Sequence, residues 1–268
     1  MWINNLDDCF VQFCKMRQRI QDGKSIEDVT FMYPTTLVPL LPYIESGVCI
    51  NENVKGYISS ISNSITVNPP FVLEKIERGR DYSKMQFLIK SLSPYHDIST
   101  LNFFFSELVD NIKQHSDFKN AFVMAQVYKK HKFIEFCLYD DGISIPTSLR
   151  LCNESFKSIE DCHLINYALN GVSSKTKEDY RRGFGMNSSA RIIFDGYRGE
   201  LFIASSDGSI HFKSGERDPI IYSHKTDEEY YRTKGTLIGL RIPYEGEKVF
   251  YHQYIDGGRS FKGKEAEL

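Results

Sequence analysis

The chain has 268 residues, 41% of them hydrophobic and 25% charged, an ordinary globular composition with room for one large domain or two small ones. Its 33 Lys plus Arg against 35 Asp plus Glu leave a formal charge of −2, which gives no electrostatic footprint for nucleic acid. No stretch approaches the ~20 apolar residues that cross a bilayer, and residues 1–8 carry neither the basic nor the apolar run of a secretory leader, so a cytoplasmic location without membrane contact is expected.

In chain order, Leu6, Phe10, Phe13, Met16 and Ile20 recur at helical spacing and predict a helix over 6–20. Val29-Thr30-Phe31-Met32 reads as a short strand. Thr36 stands where it would cap a short helix over 37–43, a segment weakened by Pro39 and Pro42. Residues 47–50 read as another strand and 85–91 as a helix. Residues 1–97 therefore read as a small α/β unit in which nothing resembles a catalytic site. Six cysteines, Cys9, Cys14, Cys49, Cys137, Cys152 and Cys162, include no C-x-x-C pair and read as reduced, mostly buried thiols.

From residue 98 the pattern changes. Leu101, Phe104, Phe105, Leu108 and Ile112 mark a strongly periodic helix. Strand-like runs over 121–128 and 133–140 flank the basic turn Lys129-Lys130-His131-Lys132. A polar, partly helical stretch spans 147–182. A glycine-bracketed turn, a helix through Ile193, a hairpin around Asp207-Gly208 and a last strand to Pro243 follow. This organisation predicts an α/β domain over 98–246 and a polar tail over 247–268.

Four short patterns carry chemistry. Glu107, Asn111 and His115, four apart, form one polar ladder on the flank of the helix's apolar stripe. Such a ladder is either a solvated face or a set of groups awaiting a metal or nucleotide. In Leu138-Tyr139-Asp140-Asp141-Gly142-Ile143-Ser144-Ile145-Pro146, a carboxylate ends a buried strand just before a glycine turn. It either closes an ordinary turn or accepts a hydrogen bond from a heterocyclic amine such as that of adenine. In Arg181-Arg182-Gly183-Phe184-Gly185-Met186-Asn187, paired glycines let backbone approach a phosphate at a helix N-terminus, with arginines beside it. No G-K-[ST] follows, so this is not a Walker A loop. Lys234-Gly235-Thr236 then opens the last strand.

The order and spacing of the four resemble the GHKL ATPase family of gyrases, chaperones, histidine kinases and mismatch-repair proteins. Glu107 and Asn111 match that family's N box. Asp140, Gly142 and, imperfectly, Ser144 match its first glycine box. Arg182-Gly183-Phe184-Gly185-Met186 match the second, and Gly235-Thr236 the closing pair. The resemblance implies a Bergerat-type ATP-binding fold, an α/β, two-layer sandwich with a mixed sheet, preceded by the small N-terminal unit.

It further implies ATP and Mg²⁺ as cofactors, with Asn111 on Mg²⁺, Asp140 on the adenine amine, Gly142 beneath the base, and Gly183 and Gly185 at the phosphates. Thr236 supports the hydrogen bonds around Asp140. His115, Ile145, Lys175, Arg182, Phe184 and Met186 complete the expected nucleotide contacts, and 147–182 is the expected lid. Glu107 falls where catalytic members keep a general base. Ser144 in place of the box's second glycine requires backbone angles that a serine tolerates.

Within the family, the α/β lead and the lack of a phosphorylated-histidine hairpin speak against an ordinary sensor kinase. The 32 residues after Thr236 speak against a full ATP-driven clamp. Glu-Leu-Val-Asp-Asn-Ile-Lys-Gln-His-Ser looks closest to the stand-alone group that includes anti-sigma serine kinases. The leading segment, Asp28-Val29-Thr30-Phe31-Met32-Tyr33-Pro34, is similar to STAS-like regulatory folds. The expected function is that of a regulatory serine/threonine kinase or slow ATPase acting on a protein partner, with a homodimer as a further option. The alternative is an ATP-gated interaction switch without turnover.

Overall fold

The computed structural model describes residues 5–63, 71–79, 83–172, 185–224, 231–255 and 260–266, without the side chains of residues 61–63 and 115. Helices α1 (Leu6–Gln21), α2 (Pro34–Leu37), α3 (Leu41–Glu45) and α4 (Glu52–Asn63) come first. Strand β1 (Phe71–Lys75) and helices α5 (Ser83–Ser91) and α6 (Ile98–His115) follow. Next are β2 (Ala121–Tyr128), β3 (Phe133–Asp140), α7 (Ile145–Cys152), α8 (Asp161–Leu169) and α9 (Gly185–Arg191). The chain continues through β4 (Glu200–Ser206), β5 (Gly208–Phe212), β6 (Ile220–Ser223), β7 (Thr233–Pro243), α10 (His252–Ile255) and β8 (Lys264–Ala266).

The strands form an eight-stranded sheet in the order β1-β2-β3-β7-β4-β5-β6-β8. Every pairing is antiparallel except β6 with β8, which makes the sheet mixed. The fold is an α/β sandwich with a mixed sheet, the class expected above. Because side chains alternate along a strand, β2 and β3 feed two cores. Val123, Ala125, Val127, Ile134, Phe136 and Leu138 meet α5, α6, α8 and α9 in the larger one. Phe122, Met124, Cys137 and Tyr139 meet α1, α2 and α4 on the other face. Each fully buried Leu or Phe stabilises by about 1.5–3 kcal/mol, so both helical layers are anchored by the same strands.

Residues 1–97, expected as a small α/β unit, contribute α1–α5 and β1. Val29–Met32 forms no strand, and 47–50 contributes only an isolated bridge, Ile26 to Ile50. Helix α1 docks by the predicted apolar stripe, with Leu6, Phe10 and Phe13 buried. The segment expected over 37–43 begins earlier: Tyr33 is the N-cap and Pro34 occupies the first turn, where a missing N–H costs nothing. Thr36 lies inside the helix, its hydroxyl on Cys9 O at 3.0 Å. Pro39 and Pro42 then break the chain into a 3₁₀ turn and α3.

A buried ion pair ties this layer to the sheet. Arg241 of β7 lies 2.9 Å from Glu135 of β3, and the Thr35 backbone N–H and hydroxyl donate to the other Glu135 oxygen at 3.0 and 2.9 Å. Tyr33 and Phe133 lie on the Arg241 guanidinium, 5.4 and 4.9 Å from it. Gly239 makes room for α2, since a Cβ there would meet Thr35 Oγ1 at 2.7 Å.

The expected polar tail over 247–268 is also partly structural. Val249 and Phe261 are buried, Phe261 N–H donates to Asn170 Oδ1 at 2.7 Å, and β8 extends the sheet edge. None of the six cysteines forms a disulfide; four are buried, while Cys49 and Cys152 are exposed. No helix among the described residues is long and apolar enough to cross a membrane.

Candidate functional site

The site grows from three chain ends that meet at one edge of the larger core: the end of β3, the end of α6 and the beginning of β7. Helix α6 starts at Asp97, whose carboxylate accepts from Thr100 N at 2.8 Å. Its stripe of Leu101, Phe104, Phe105, Leu108 and Ile112 is buried against the sheet, while Glu107 and Asn111 are half-buried on the flank. Residue 115 belongs to the helix, but its side chain lies outside the described residues.

Asp140 closes β3 at 1% exposure. Its Oδ1 accepts from Gly142 N at 2.9 Å. Burial pushes the carboxyl up to about 7, against the opposing pull of the hydrogen bonds from Gly142 N–H and the Ser116 hydroxyl. Asp141 beside it behaves in the opposite way. Burial works to raise it, but donors from Asn120 and Lys119, with the Lys234 charge 3.7 Å away, hold it below the usual carboxylate range. Two adjacent acids therefore differ in role: Asp141 secures the turn, while Asp140 is a buried acid whose charged form is costly.

The turn after Asp140 is held against the end of α6. Ile143 N–H donates to Ser116 O, and a Cβ on Gly142 would lie 1.9 Å from that oxygen, so only glycine fits. Ser144 sits at φ −68°, ψ 156° and caps α7 by accepting from Thr147 N at 3.2 Å. Those are ordinary extended angles, so a serine is accommodated where a glycine was the expected pattern. Ile145, half-buried against the larger core, opens α7 and donates its N–H to Ser205 Oγ at 3.0 Å.

Thr236 pairs with Asp140 across β3–β7 and with Ser205 across β7–β4. Its hydroxyl bonds Ser205 Oγ at 2.9 Å, and Ser205 also donates to Gly235 O at 2.9 Å. Thr236 thus reaches the turn after Asp140 through Ser205 and Ile145 N. Gly235 has φ +69°, and a Cβ there would fall 2.0 Å from Asp140 O. Ser116 and Ser205 are functional candidates that the sequence patterns did not single out. Each is a single small polar residue at the end of an element, and only the pairing across elements reveals its place.

Helix α9 packs across α6. A Cβ on Gly185 would lie 1.8 Å from Glu107 Oε2, so the Glu107 carboxylate rests against the Gly185 backbone. Met186 is half-buried at the core margin, and Asn187 Nδ2 reaches back to Leu169 O at 2.9 Å. The described structure thus brings Asp140, Gly142, Ile145 and Thr236 into one hydrogen-bonded unit, and Glu107 to the start of α9. Asn111 lies one helical turn from Glu107. Lys175, Arg182, Gly183 and Phe184 lie outside the described residues, as does much of the expected lid beyond α8. No protein-family model, curated protein or solved structure matches the chain.

Proposed function

We propose that the chain binds Mg-ATP in the manner of the GHKL family and acts as a regulatory serine/threonine kinase or slow ATPase on a protein partner. One observation carries the reading: Asp140 is a nearly inaccessible carboxylate at a strand end, pushed up to about 7 by burial. A buried acceptor of that kind gains from an amine donor. An adenine amine is such a donor.

The donor set suits the rest of the nucleotide. Gly142 and Gly235 keep the backbone beside Asp140 free of side chains, at positions where a Cβ has no room. Asn111 offers an uncharged oxygen of the kind Mg²⁺ accepts. Glu107 rests against Gly185 at the start of α9, the segment that would carry the phosphate-binding backbone. Bound ATP supplies the γ-phosphoryl group.

In this reading Asp140 fixes the base and the Ser205–Thr236 pair fixes the turn. Asn111 holds the metal, and Glu107 accepts the proton of the attacking hydroxyl or water. The family resemblance, the Bergerat-type fold and a cytoplasmic location belong to the same proposal.

Calorimetric titration with Mg-ATP, together with phosphate release, tests it. Binding lost in Asp140→Asn and Asn111→Ala, with turnover lost in Glu107→Gln, is the expected result. Binding without turnover moves the chain to the nucleotide-gated switch. Absence of binding in the wild type overturns the nucleotide reading.

A further inference from the structure

Glu160, Asp161, Cys162 and His163 are consecutive, and they form the N-cap and first turn of α8. Asp161 is committed to the fold: its Oδ2 accepts from Asp207 N at 2.9 Å and its Oδ1 pairs with Arg150 at 2.6 Å. The β4–β5 turn presses on the same place, since a Cβ on Gly208 would lie 2.3 Å from Cys162 N. The first turn of α8 is therefore held on two sides.

On that frame the remaining three side chains converge. One ligand atom each from Glu160, Cys162 and His163 lie within 4.8 Å of one another. From the sheet edge, Glu265 of β8 approaches, its Oε1 3.5 Å from His163 Nε2. Cys162 is buried, while Glu160 and His163 are half-buried and give an ion a path from solvent.

We propose that Glu160, Cys162 and His163 form a site for a borderline-soft divalent transition cation of the Zn²⁺ class. One sulfur, one imidazole nitrogen and one carboxylate oxygen are the donors such an ion takes, whereas Mg²⁺ and Ca²⁺ take oxygen alone. Ligand atoms around a tetrahedral Zn²⁺ sit about 3.5 Å apart, a spacing in reach of side-chain rotation from donor separations of at most 4.8 Å. The thiol proton leaves to solvent on binding, and the thiolate and carboxylate then balance the cation's charge. The positive end of α8 favours those anionic ligand forms.

Glu265 is a positioning residue: a carboxylate beside a metal-bound imidazole orients the ring. Since β8 brings Glu265 and α8 brings the ligands, the ion fastens β8 to α8. The three ligands lie within the 147–182 stretch expected as the lid but are none of the proposed nucleotide contacts, and the site does not depend on that reading.

The test strips the full chain with a chelator and titrates it with Co²⁺ in the presence of excess Mg²⁺. Saturation at one equivalent is expected, with a near-ultraviolet thiolate-to-cobalt band that Zn²⁺ displaces. Cys162→Ser should abolish the band, and His163→Ala should weaken binding. Glu265→Gln should weaken it about 10-fold with the band retained. Cys49→Ser and Cys152→Ser, at exposed cysteines, should leave both unchanged. Because Cys162 is buried and its replacement could disturb folding, the half-exposed His163 supplies the second check, with circular dichroism on each variant. Absence of a band in wild type, a band that survives Cys162→Ser, or a folded His163→Ala that binds as tightly as wild type overturns the proposal.

Discussion

The Glu107 carboxylate lies against the backbone of Gly185, so close that a Cβ there would fall 1.8 Å from Glu107 Oε2. The obstructing atom is the far end of a flexible side chain, so an alanine would move the carboxylate without moving the helix. Alanine also favours the helical state over glycine by up to about 1 kcal/mol. Gly185→Ala is therefore expected to fold with a melting temperature within a few degrees of wild type. Phosphate release should fall by about 10–100-fold, because a general base displaced from its place loses most of its effect. Unchanged turnover in a folded Gly185→Ala would remove Glu107 from the proposed chemistry.

Asp140 sets binding against stability. Its folded carboxyl titrates at about 7, above the ordinary 3.8, because burial disfavours the charge. The folded chain thus holds a proton that the unfolded chain has already lost between those values, and stability falls as pH rises through that window. The cost of the buried charge at pH 8 is about 4 kcal/mol by that difference. Asp140→Asn keeps an oxygen for Gly142 N–H and carries no charge, so it should gain about 2–4 kcal/mol at pH 8 and progressively less towards pH 4. The same variant should lose Mg-ATP binding. Urea titrations at several pH values, alongside calorimetry, check both halves; equal loss of stability and binding would mean the carboxylate is merely structural.

Legibility followed the strength of the periodic signal. The apolar stripe of α6, the two strands flanking the basic turn and the closing strand β7 were readable because each runs long enough for its period to show. Val29–Met32 has strand-like residues but pairs with no strand among the described residues, and it stays irregular. Strands β6 and β8 are short edge strands whose existence depends on pairing, which no local pattern records. At the site, Asp140 and Gly142 were visible as a strand end and its turn. Ser116 and Ser205 were not, because their roles come from register: Ser205 faces Thr236 only once β4 pairs with β7.

The Glu135–Arg241 pair joins the N-terminal helices to the sheet and is almost fully buried, with side chains 0% and 9% exposed. Arg241→Met would leave Glu135 charged, buried and short of a donor, at a cost of about 3–5 kcal/mol. Adding Glu135→Gln removes the stranded charge while keeping an acceptor for Thr35, so the double variant should recover part of that loss. Urea unfolding of the two single variants and the double variant gives the coupling. Strict additivity would show that the pair does not act as a unit.

His211 gives the helical layer a second pH dependence beside that of Asp140. Its ring is buried between Glu200, 2.6 Å from Nε2, and Asp7 of α1, 3.2 Å from Nδ1. Lys213 shares Asp7 at 3.0 Å, Arg241 lies 3.6 Å from Glu200, and the Tyr222 hydroxyl is 3.5 Å from Asp7. Burial alone would depress the imidazole, but the two carboxylates outweigh it and hold the ring's affinity for a proton above its ordinary 6.5. Below 6.5 the imidazolium is present in folded and unfolded chains alike, and its stabilisation is complete. As pH rises through the folded value the proton leaves and that stabilisation is lost, at a slope of up to about 1.4 kcal/mol per pH unit. The first structure to loosen should be α1, whose Leu6 N–H also donates to Glu200 at 3.0 Å. Hydrogen exchange of α1 amides should accelerate above neutral pH more than base catalysis alone explains, and His211→Gln should flatten that excess. Asp140→Asn should leave it intact, since the carboxylates that raise His211 are Asp7 and Glu200. Identical profiles in wild type and His211→Gln would show that the imidazolium does not hold the layer.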